Sequence, residues 1–221
     1  YSIKNSNKWI SGKYSDYNSD IYETGDITFL NDSVGYFSLC DDDKCKVISF
    51  LNNDFNTLDK VNAFGTRNIQ PHITHLNNQE VLYFVSDRNG GFGGLDIWLS
   101  IIDGNGNFGV PINAGRRVNS DSDEITPYYN KAEKTIYFSS NRKSGMGGFD
   151  VYKTKGQLNL WDSVENVEEL NTNQDEMYLS FYNENMGYLS SNRKGAVNTV
   201  GPASCLKPFY LKIYDLLPKE L

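Results

Sequence analysis

Short apolar and aromatic runs recur four times along the 221-residue chain, each followed by polar or glycine-rich residues. The two clearest copies read Tyr-Phe-Val-Ser-Asp-Arg from Tyr83 and Tyr-Phe-Ser-Ser-Asn-Arg from Tyr137, and both continue into Gly-x-Gly-Gly-x-Asp. A third copy begins at Tyr188 and a worn one at Tyr36, so the four tyrosines stand 47, 54 and 51 residues apart. Short runs that meet at glycine are typical of β-hairpins, and this spacing predicts a repeat architecture.

Each repeat contains more than the hairpin. A segment with turn and carboxylate residues precedes each tyrosine, at residues 23–26, 68–71, 123–127 and 175–178. An aromatic residue follows each hairpin at Phe55, Phe108 and Trp161, and Trp9 has the spacing to join them. One unit is therefore predicted to be an inner strand, two strands joined by the glycine tip, and an outer strand led by the aromatic residue. Four antiparallel strands in such a unit form a propeller blade.

The predicted fold is all-β, a four-bladed β-propeller of four-stranded antiparallel blades. The fourth unit ends at its third strand, residues 209–214, and the N-terminus supplies an aromatic-led strand around Trp9. We therefore expect the N-terminal strand to complete the last blade and to cover its edge. The chain is interpreted as a single domain with these parts: closing strand and lead-in 1–22, blade 1 23–62, blade 2 63–116, blade 3 117–169 and blade 4 170–221.

Composition agrees with one β domain. Aromatic residues make up 14% of the chain and suit the faces of packed pleated strands. The net charge of −7 argues against nucleic-acid binding, which needs clustered Lys and Arg. No apolar run approaches the roughly 18 residues of a membrane span, so a soluble domain without such a span is expected.

The hairpins resemble a known family. Their Ser-(Asp/Asn)-Arg-x-x-Gly-x-Gly-Gly-x-Asp pattern is similar to the propeller repeat of the periplasmic TolB protein, and closer to the variant repeat of Bacteroidetes envelope proteins. The resemblance spans nearly the whole chain, is strongest in units two and three, and implies the propeller fold. A chain that begins at Tyr1 rather than Met also suggests a mature periplasmic protein whose signal peptide has been removed.

The resemblance implies a function as well. It favours a non-catalytic protein-interaction module of the cell envelope. In particular, it suggests an accessory subunit that caps or plugs the periplasmic mouth of an outer-membrane translocon of type IX secretion. The expected partner is then a larger envelope protein, an outer-membrane β-barrel. The alternative is a glycan- or peptidoglycan-binding propeller, and a glycosidase is less favoured.

The charged residues of the repeat recur one per unit and are expected to form a structural clamp on each glycine tip. They are Arg88, Asp96, Arg142, Asp150 and Arg193. Function usually breaks such symmetry, so the fourth tip, residues 195–205, is the more informative one. It replaces glycines with Ala196, Val197, Val200 and Pro202, and we expect these apolar residues to contact the partner.

Three cysteines are open to more than one pairing. Cys40 and Cys45 flank the tip of the first hairpin, where facing strand positions lie within disulfide range, so a Cys40–Cys45 bond is favoured. In a closed ring the fourth tip neighbours the first, and Cys205 would then be able to bond either of them. Free thiols are the third possibility.

No catalytic residue, metal site or cofactor is predicted. His72 and His75 are three apart in a strand and should face opposite ways, so they cannot share a metal. Asp103 begins a calcium-like loop that lacks the glycine and the glutamate of such sites. The carboxylates near the predicted axial mouth recur with the repeat, as structural turn residues would. They are Asp26, Asp123, Glu124, Asp175 and Glu176.

Overall fold

A computed structural model describes residues 3–5, 8–10, 23–41, 44–51, 54–183, 186–194 and 208–209. Within these ranges the chain forms strands, turns and loops, and no helix. The prediction of an all-β fold is confirmed.

Four antiparallel sheets follow one another along the chain. Sheet 1 contains β3 (Glu23–Asn31), β4 (Val34–Asp41), β5 (Lys44–Leu51) and β6 (Asp54–Thr57). Sheet 2 contains β7 (Asn68–Leu76), β8 (Gln79–Ser86), β9 (Asp96–Ile102) and β10 (Ile112–Asn113). Sheet 3 contains β11 (Glu124–Asn130), β12 (Thr135–Ser140), β13 (Asp150–Gln157), β14 (Leu160–Trp161) and β15 (Glu165–Asn166). Sheet 4 contains β16 (Glu176–Asn183), β17 (Met186–Ser191) and β18 (Pro208–Phe209).

The outer strands differ from the expected pattern. Phe55 lies in β6 as expected, but Phe108 makes only an isolated bridge with Ile102, and the outer strand of sheet 2 is the short β10. Trp161 lies in β14, and both β14 and β15 pair with β13. An aromatic residue therefore lies near the outer strand without always beginning it. Packing of its ring against neighbours, rather than strand hydrogen bonding, sets its position.

Successive sheets pack face to face because their central strands are apolar on both faces. In β8, Leu82 and Phe84 join a core cluster shared with sheet 1, whereas Val81, Tyr83 and Val85 join a cluster shared with sheet 3. This division follows the two-residue period of a strand. A third cluster, which includes Tyr137, Val151, Leu179 and Leu189, joins sheets 3 and 4. The sheets thus stack in chain order, as propeller blades do.

The N-terminal closure stays a prediction. Two further strands, β1 (Ile3–Asn5) and β2 (Lys8–Ile10), pair with each other, with Lys4 opposite Trp9. In sheet 4, β18 pairs with β17, and residues 210–214 lie outside the described residues. Across the described residues, no helix is long and apolar enough to cross a membrane.

Candidate functional site

The repeated aspartate closes each glycine tip. Asp96 accepts hydrogen bonds from the backbone N–H groups of Phe92 (2.6 Å) and Gly93 (3.1 Å). Asp150 does the same for Met146 (2.9 Å) and Gly147 (3.1 Å). These bonds satisfy backbone donors that a tight loop leaves without strand partners.

The repeated arginine has a different role from the one expected. Instead of holding the tip, Arg142 donates to the Val118 carbonyl (2.7 Å) in the segment that leads into its own sheet, and to Ser140 Oγ (3.1 Å). Arg193 repeats this with the Leu170 carbonyl (2.6 Å) and Ser191 Oγ (3.1 Å). Arg88 likewise bonds the Val61 carbonyl and Ser86.

The glycine tips also join one sheet to the next. Gly94 N–H donates to the Ser122 carbonyl (3.3 Å), and Leu95 N–H donates to Asp123 Oδ1 (2.8 Å). A Cβ on Gly93 would lie 1.9 Å from the Ser122 oxygen. Sheet 3 contacts sheet 4 in the same way, since Gly148 N–H donates to the Gln174 carbonyl (3.2 Å) and Phe149 N–H to Asp175 Oδ1 (3.0 Å). The recurring motif therefore builds the joints between sheets.

Glu124 and Glu176 are fully buried parts of these joints. Glu124 accepts bonds from Ser120 N (2.7 Å), Ser120 Oγ (2.6 Å) and Ser140 Oγ (2.7 Å), and pairs with Arg142 at 3.2 Å. Glu176 makes the equivalent bonds and pairs with Arg193 at 2.9 Å. All these acceptor sites serve the fold, so neither carboxylate is available to a ligand.

The inner strands carry a feature that recurrence alone does not reveal. Each of the four contains a β-bulge at the same place, where the register shifts between the second and fifth or third and sixth residues. The bulged residue has a positive φ in every sheet: Asp26 (55°), Gln70 (54°), Thr126 (52°) and Tyr178 (57°). Left-handed backbone is costly for residues other than glycine, and a β-bulge of this kind re-aims the side chain.

These four residues meet in one hydrogen-bond network, which Thr126 joins through its backbone N–H. Gln70 Nε2 donates to the Tyr178 hydroxyl (2.9 Å), and its Oε1 accepts from Thr126 N (2.9 Å). Asp26 is bonded by the Tyr178 hydroxyl and by Ser38 Oγ (3.1 Å). The network joins all four sheets at their inner strands. The backbone conformation is the same at the four positions, whereas the residue types differ.

The network lies in the wall of a cavity of about 380 Å³ between the inner strands, hereafter the central cavity. Its lining is formed by residues 26–29, 70–72, 126–128 and 178–180. Apolar and aromatic surface accompanies the polar groups, since Phe29 is 55% exposed and Tyr178 38%. Among the described residues of this lining, Asp26 is the one carboxylate.

Burial sets the protonation of two groups in the central cavity. It raises the pKa of Asp26, and the hydrogen bonds from Tyr178 and Ser38 offset this only in part. Burial lowers the pKa of His72 to about 4, against a smaller opposing contribution from a hydrogen bond to the Tyr129 backbone. The His72 ring lies 5.0 Å from that of Tyr128, and its buried Nε2 has no hydrogen-bond partner among the described residues. His72 is therefore neutral near pH 7 and presents a hydrogen-bond acceptor.

Other sequence-predicted residues lie away from the central cavity. Cys40 and Cys45 face each other across β4 and β5, with Cα atoms 4.1 Å apart, and form a disulfide. His75 is on the opposite face from His72 and lies 3.6 Å from Glu80. Asp103 accepts bonds from Asn105 N and Asn107 N, both at 2.9 Å, and closes a turn. Ala196, Val197, Val200, Pro202 and Cys205 fall outside the described residues.

Metal ligands do not cluster in the described part of the chain, where no group of three or more His, Cys, Asp or Glu residues could hold a metal ion.

Sequence reasoning missed Gln70, Thr126 and Tyr178. The sequence contains a signal for them, namely a fixed offset. They follow Asn68, Glu124 and Glu176, respectively, by two positions, as Asp26 follows Thr24. Aligning the four lead-in segments yields one column of four different residues, which departs from the repetition around it.

Comparison with known proteins supports the fold. No family model and no curated protein matches the chain. A thermostable family-43 glycoside hydrolase of known structure is similar with a TM-score of 0.54 and 17% identity, over 83% of this chain and 69% of that one. An α-L-arabinofuranosidase from Lactobacillus brevis has a TM-score of 0.49 and 11% identity, over 80% of this chain and 65% of that one. The first likeness shows a propeller-like fold.

Two sequence-based predictions are corrected by this comparison. The prediction of a non-catalytic protein-interaction module on a type IX translocon is wrong, since the solved structure with a TM-score of 0.54 is a glycoside hydrolase and agrees better with the glycan-related alternative. The prediction that the chain is not an enzyme is contradicted by the same structure. A repeat motif that builds joints between sheets reports on fold, and the inference from that motif to function was therefore unsound.

Proposed function

We propose that this chain is a glycan-binding propeller and that the central cavity is its binding site. The observation that carries the proposal is the ring of bulged residues Asp26, Gln70, Thr126 and Tyr178, which share one backbone geometry and differ in chemistry. A purely structural position would be free to repeat one residue type, as the Asp and Arg of the tips do.

The chemistry of the central cavity suits a sugar unit. A carboxylate and an amide can pair with neighbouring hydroxyl groups, and an exposed aromatic ring can pack on the apolar face of a sugar. Its volume of about 380 Å³ falls within the range of about 300–1,000 Å³ typical of ligand pockets.

Hydrolysis of the bound glycan is the second candidate, favoured by the raised pKa of Asp26. A carboxyl group whose pKa is raised by burial is better suited to act as the general acid than one with an ordinary pKa. Such a reaction also needs a second carboxyl group about 5–5.5 or 6.5–9.5 Å away. Within the described lining, Asp26 stands alone, so binding is the function that these residues support directly.

The finer architecture is part of the same proposal. We infer that the four sheets are four blades of one ring and that the N-terminal strand closes it. Support comes from the three core clusters that join successive sheets and from the network that links Tyr178 of sheet 4 to Asp26 of sheet 1. A ring of this kind surrounds the central cavity on all sides.

The test is binding to a panel of neutral, acidic and peptidoglycan-derived oligosaccharides, followed by calorimetry with any ligand found. Asp26→Asn should weaken binding about tenfold or more, because a hydrogen bond to a charged group contributes about 1.5–3 kcal/mol. Asp121→Asn is the matched control, since Asp121 is exposed and outside the cavity. Release of reducing ends would establish hydrolysis. A panel without binding, or equal affinity of Asp26→Asn and wild type, would overturn the proposal.

A further inference from the structure

The joint between sheets 1 and 2 differs from the two joints that follow it. In sheets 2 and 3, nine residues (87–95 and 141–149) connect the equivalent strand positions, and the glycine tip lies on the segment that leads into the next sheet. In sheet 1 the equivalent positions are Leu39 and Lys46. The six residues between them begin at Cys40 and end at Cys45, and these two cysteines form a disulfide. The first tip is thus three residues shorter.

A cavity of about 800 Å³ occupies the place where a glycine tip would lie, hereafter the first-joint cleft. It is lined by residues 44–46 of the short hairpin and by the lead-in segment 62–67, together with Thr57, Asp59 and Asp87. Asn62 anchors this segment to Val47, as Asn119 anchors its segment to Ile97. The two joints therefore share one frame, and the described lining of the cleft lies at the same interface.

The polarity of the cleft is opposite to that of the later joints. Lys46 of sheet 1 stands at the position of Asp96 and Asp150, which accept backbone N–H groups of the tip. Arg67 of the lead-in segment stands at the position of Asp123 and Asp175, which accept a further N–H. Arg67 bonds Asp87 through Nε at 3.0 Å. Lys44 replaces a tip glycine and is exposed.

The lead-in segment also has an added residue. Five residues separate Asn62 from Asn68, whereas four separate Asn119 from Glu124 and Asn171 from Glu176. The addition brings Phe64, which is fully exposed, next to Gly65, whose φ of +73° is left-handed. An exposed aromatic ring beside an open cleft is a contact that a docked segment would bury.

We propose that the first-joint cleft binds an acidic, glycine-containing loop of another polypeptide. Continuity with the two formed joints defines the shape of this ligand, because a glycine tip of this chain fills the same frame twice. The cations Lys46 and Arg67 replace the aspartate acceptors of the later joints, and this replacement defines the charge of the ligand. The ligand is expected to present carboxylates where a glycine tip presents N–H donors. Asp59 and Asp87 also line the cleft, and because Asp87 pairs with Arg67, Lys44 and Lys46 are the lining cations that we expect to meet a carboxylate of the ligand.

The experiment uses cyclised peptides built on residues 86–96, which contain the glycine tip of sheet 2. One probe carries Leu95→Glu, which adds a carboxylate beside the backbone amide that meets position 123 at the next joint. A second adds Gly93→Val to that probe, since a Cβ there would meet a backbone oxygen at 1.9 Å in the formed joint. The unaltered tip is the third. Binding to the full chain is measured by calorimetry.

We expect the acidic peptide to bind at least about tenfold more tightly than the unaltered one, and Gly93→Val to abolish binding. In the protein, Lys46→Glu should weaken binding about tenfold, while Lys60→Glu, an equal charge change at an exposed residue outside the lining, should leave it unchanged. Asp26→Asn should have no effect, which separates this site from the central cavity. Absence of binding at roughly millimolar peptide, equal affinity for the acidic and unaltered peptides, or equal effects of the two lysine variants would overturn the proposal.

Discussion

Glu124 shows how a buried carboxylate is retained without serving a ligand. Its two oxygens accept bonds from Ser120 and Ser140 and pair with Arg142, and the side chain is fully buried. Charge is tolerated there because every acceptor site faces a donor. Glu176 repeats the arrangement in the next sheet, and Asn68 takes this position in sheet 2, where it bonds Arg88 and Ser86.

Glu124→Gln should therefore lower the free energy of unfolding by about 3 kcal/mol, because an amide donor would face existing donors and Arg142 would lose its anion. Urea unfolding followed by fluorescence measures this. Glu165→Gln is the control, since that side chain is 64% exposed and 3.7 Å from Lys153, and it should change stability by less than about 1 kcal/mol. Equal effects would contradict the structural role of Glu124.

His72 should make stability depend on pH. Its pKa is about 4 in the folded chain and 6.5 as a free side chain, so between these values the unfolded state binds the extra proton. Stability then falls as the pH is lowered from 6.5 towards 4, by up to about 3 kcal/mol from this group. Asp26 acts in the opposite sense, because a raised carboxyl pKa favours the folded state at low pH.

His72→Gln removes the contribution of His72 while leaving that of Asp26, so the difference between the two unfolding profiles isolates it. We expect the variant to lose less stability than wild type between pH 6.5 and 4. His75→Gln, on the opposite face, serves as the control. Parallel profiles for wild type and His72→Gln would mean that His72 is not held neutral by burial.

At the scale of elements, the glycine tip is a joint as well as a turn. Gly147 lies against the segment that leads into sheet 4, and an added Cβ would be 2.0 Å from the Gln174 oxygen and 2.7 Å from that of Thr172. Both oxygens belong to the backbone of the segment that leads into sheet 4, so neither can move away unless that backbone shifts. The motif is thus explained by close approach between sheets.

Gly147→Ala should lower the free energy of unfolding by about 3 kcal/mol, because the overlap forces the tip away from the next sheet. Gly104→Ala is a matched control, since nothing lies within 4 Å of its Cβ position. Thermal unfolding of the two variants provides the comparison. Similar melting temperatures would show that the tip does not depend on this contact.

At the scale of the molecule, stability comes from serial packing of sheets. Central strands such as β8 and β12 are buried on both faces. Three clusters join neighbouring sheets, while a fourth, made of Phe37, Ile48 and Phe50, lies within sheet 1. An open first or last sheet would leave such a face in water. Closure of the ring by the N-terminal strand would remove this cost.

Deletion of residues 1–12 should accordingly lower the melting temperature and the yield of folded protein, if that strand completes the last blade. Trp9→Pro should act in the same direction, because proline removes a ladder hydrogen bond, and Trp9→Phe should be close to wild type. Differential scanning calorimetry measures all three. An unchanged melting transition after the deletion would refute closure.

The sequence by itself determined the all-β class, the repeat period and the paired strands around each glycine tip. Such features depend on contacts close in sequence, as between Asp96 and the tip it closes four residues away, and local pattern is enough to predict them. The pairing of Cys40 with Cys45 across one hairpin belongs to the same group.

Only the tertiary structure brought together the residues of the candidate site. Gln70 and Tyr178 are 108 residues apart, and they meet because bulges in four separate strands turn their side chains into one cavity. The first-joint cleft likewise depends on a missing contact between two sheets. The aligned lead-in segments mark the column of bulged residues, but residue type does not show that the four meet, because burial and register bring these groups together.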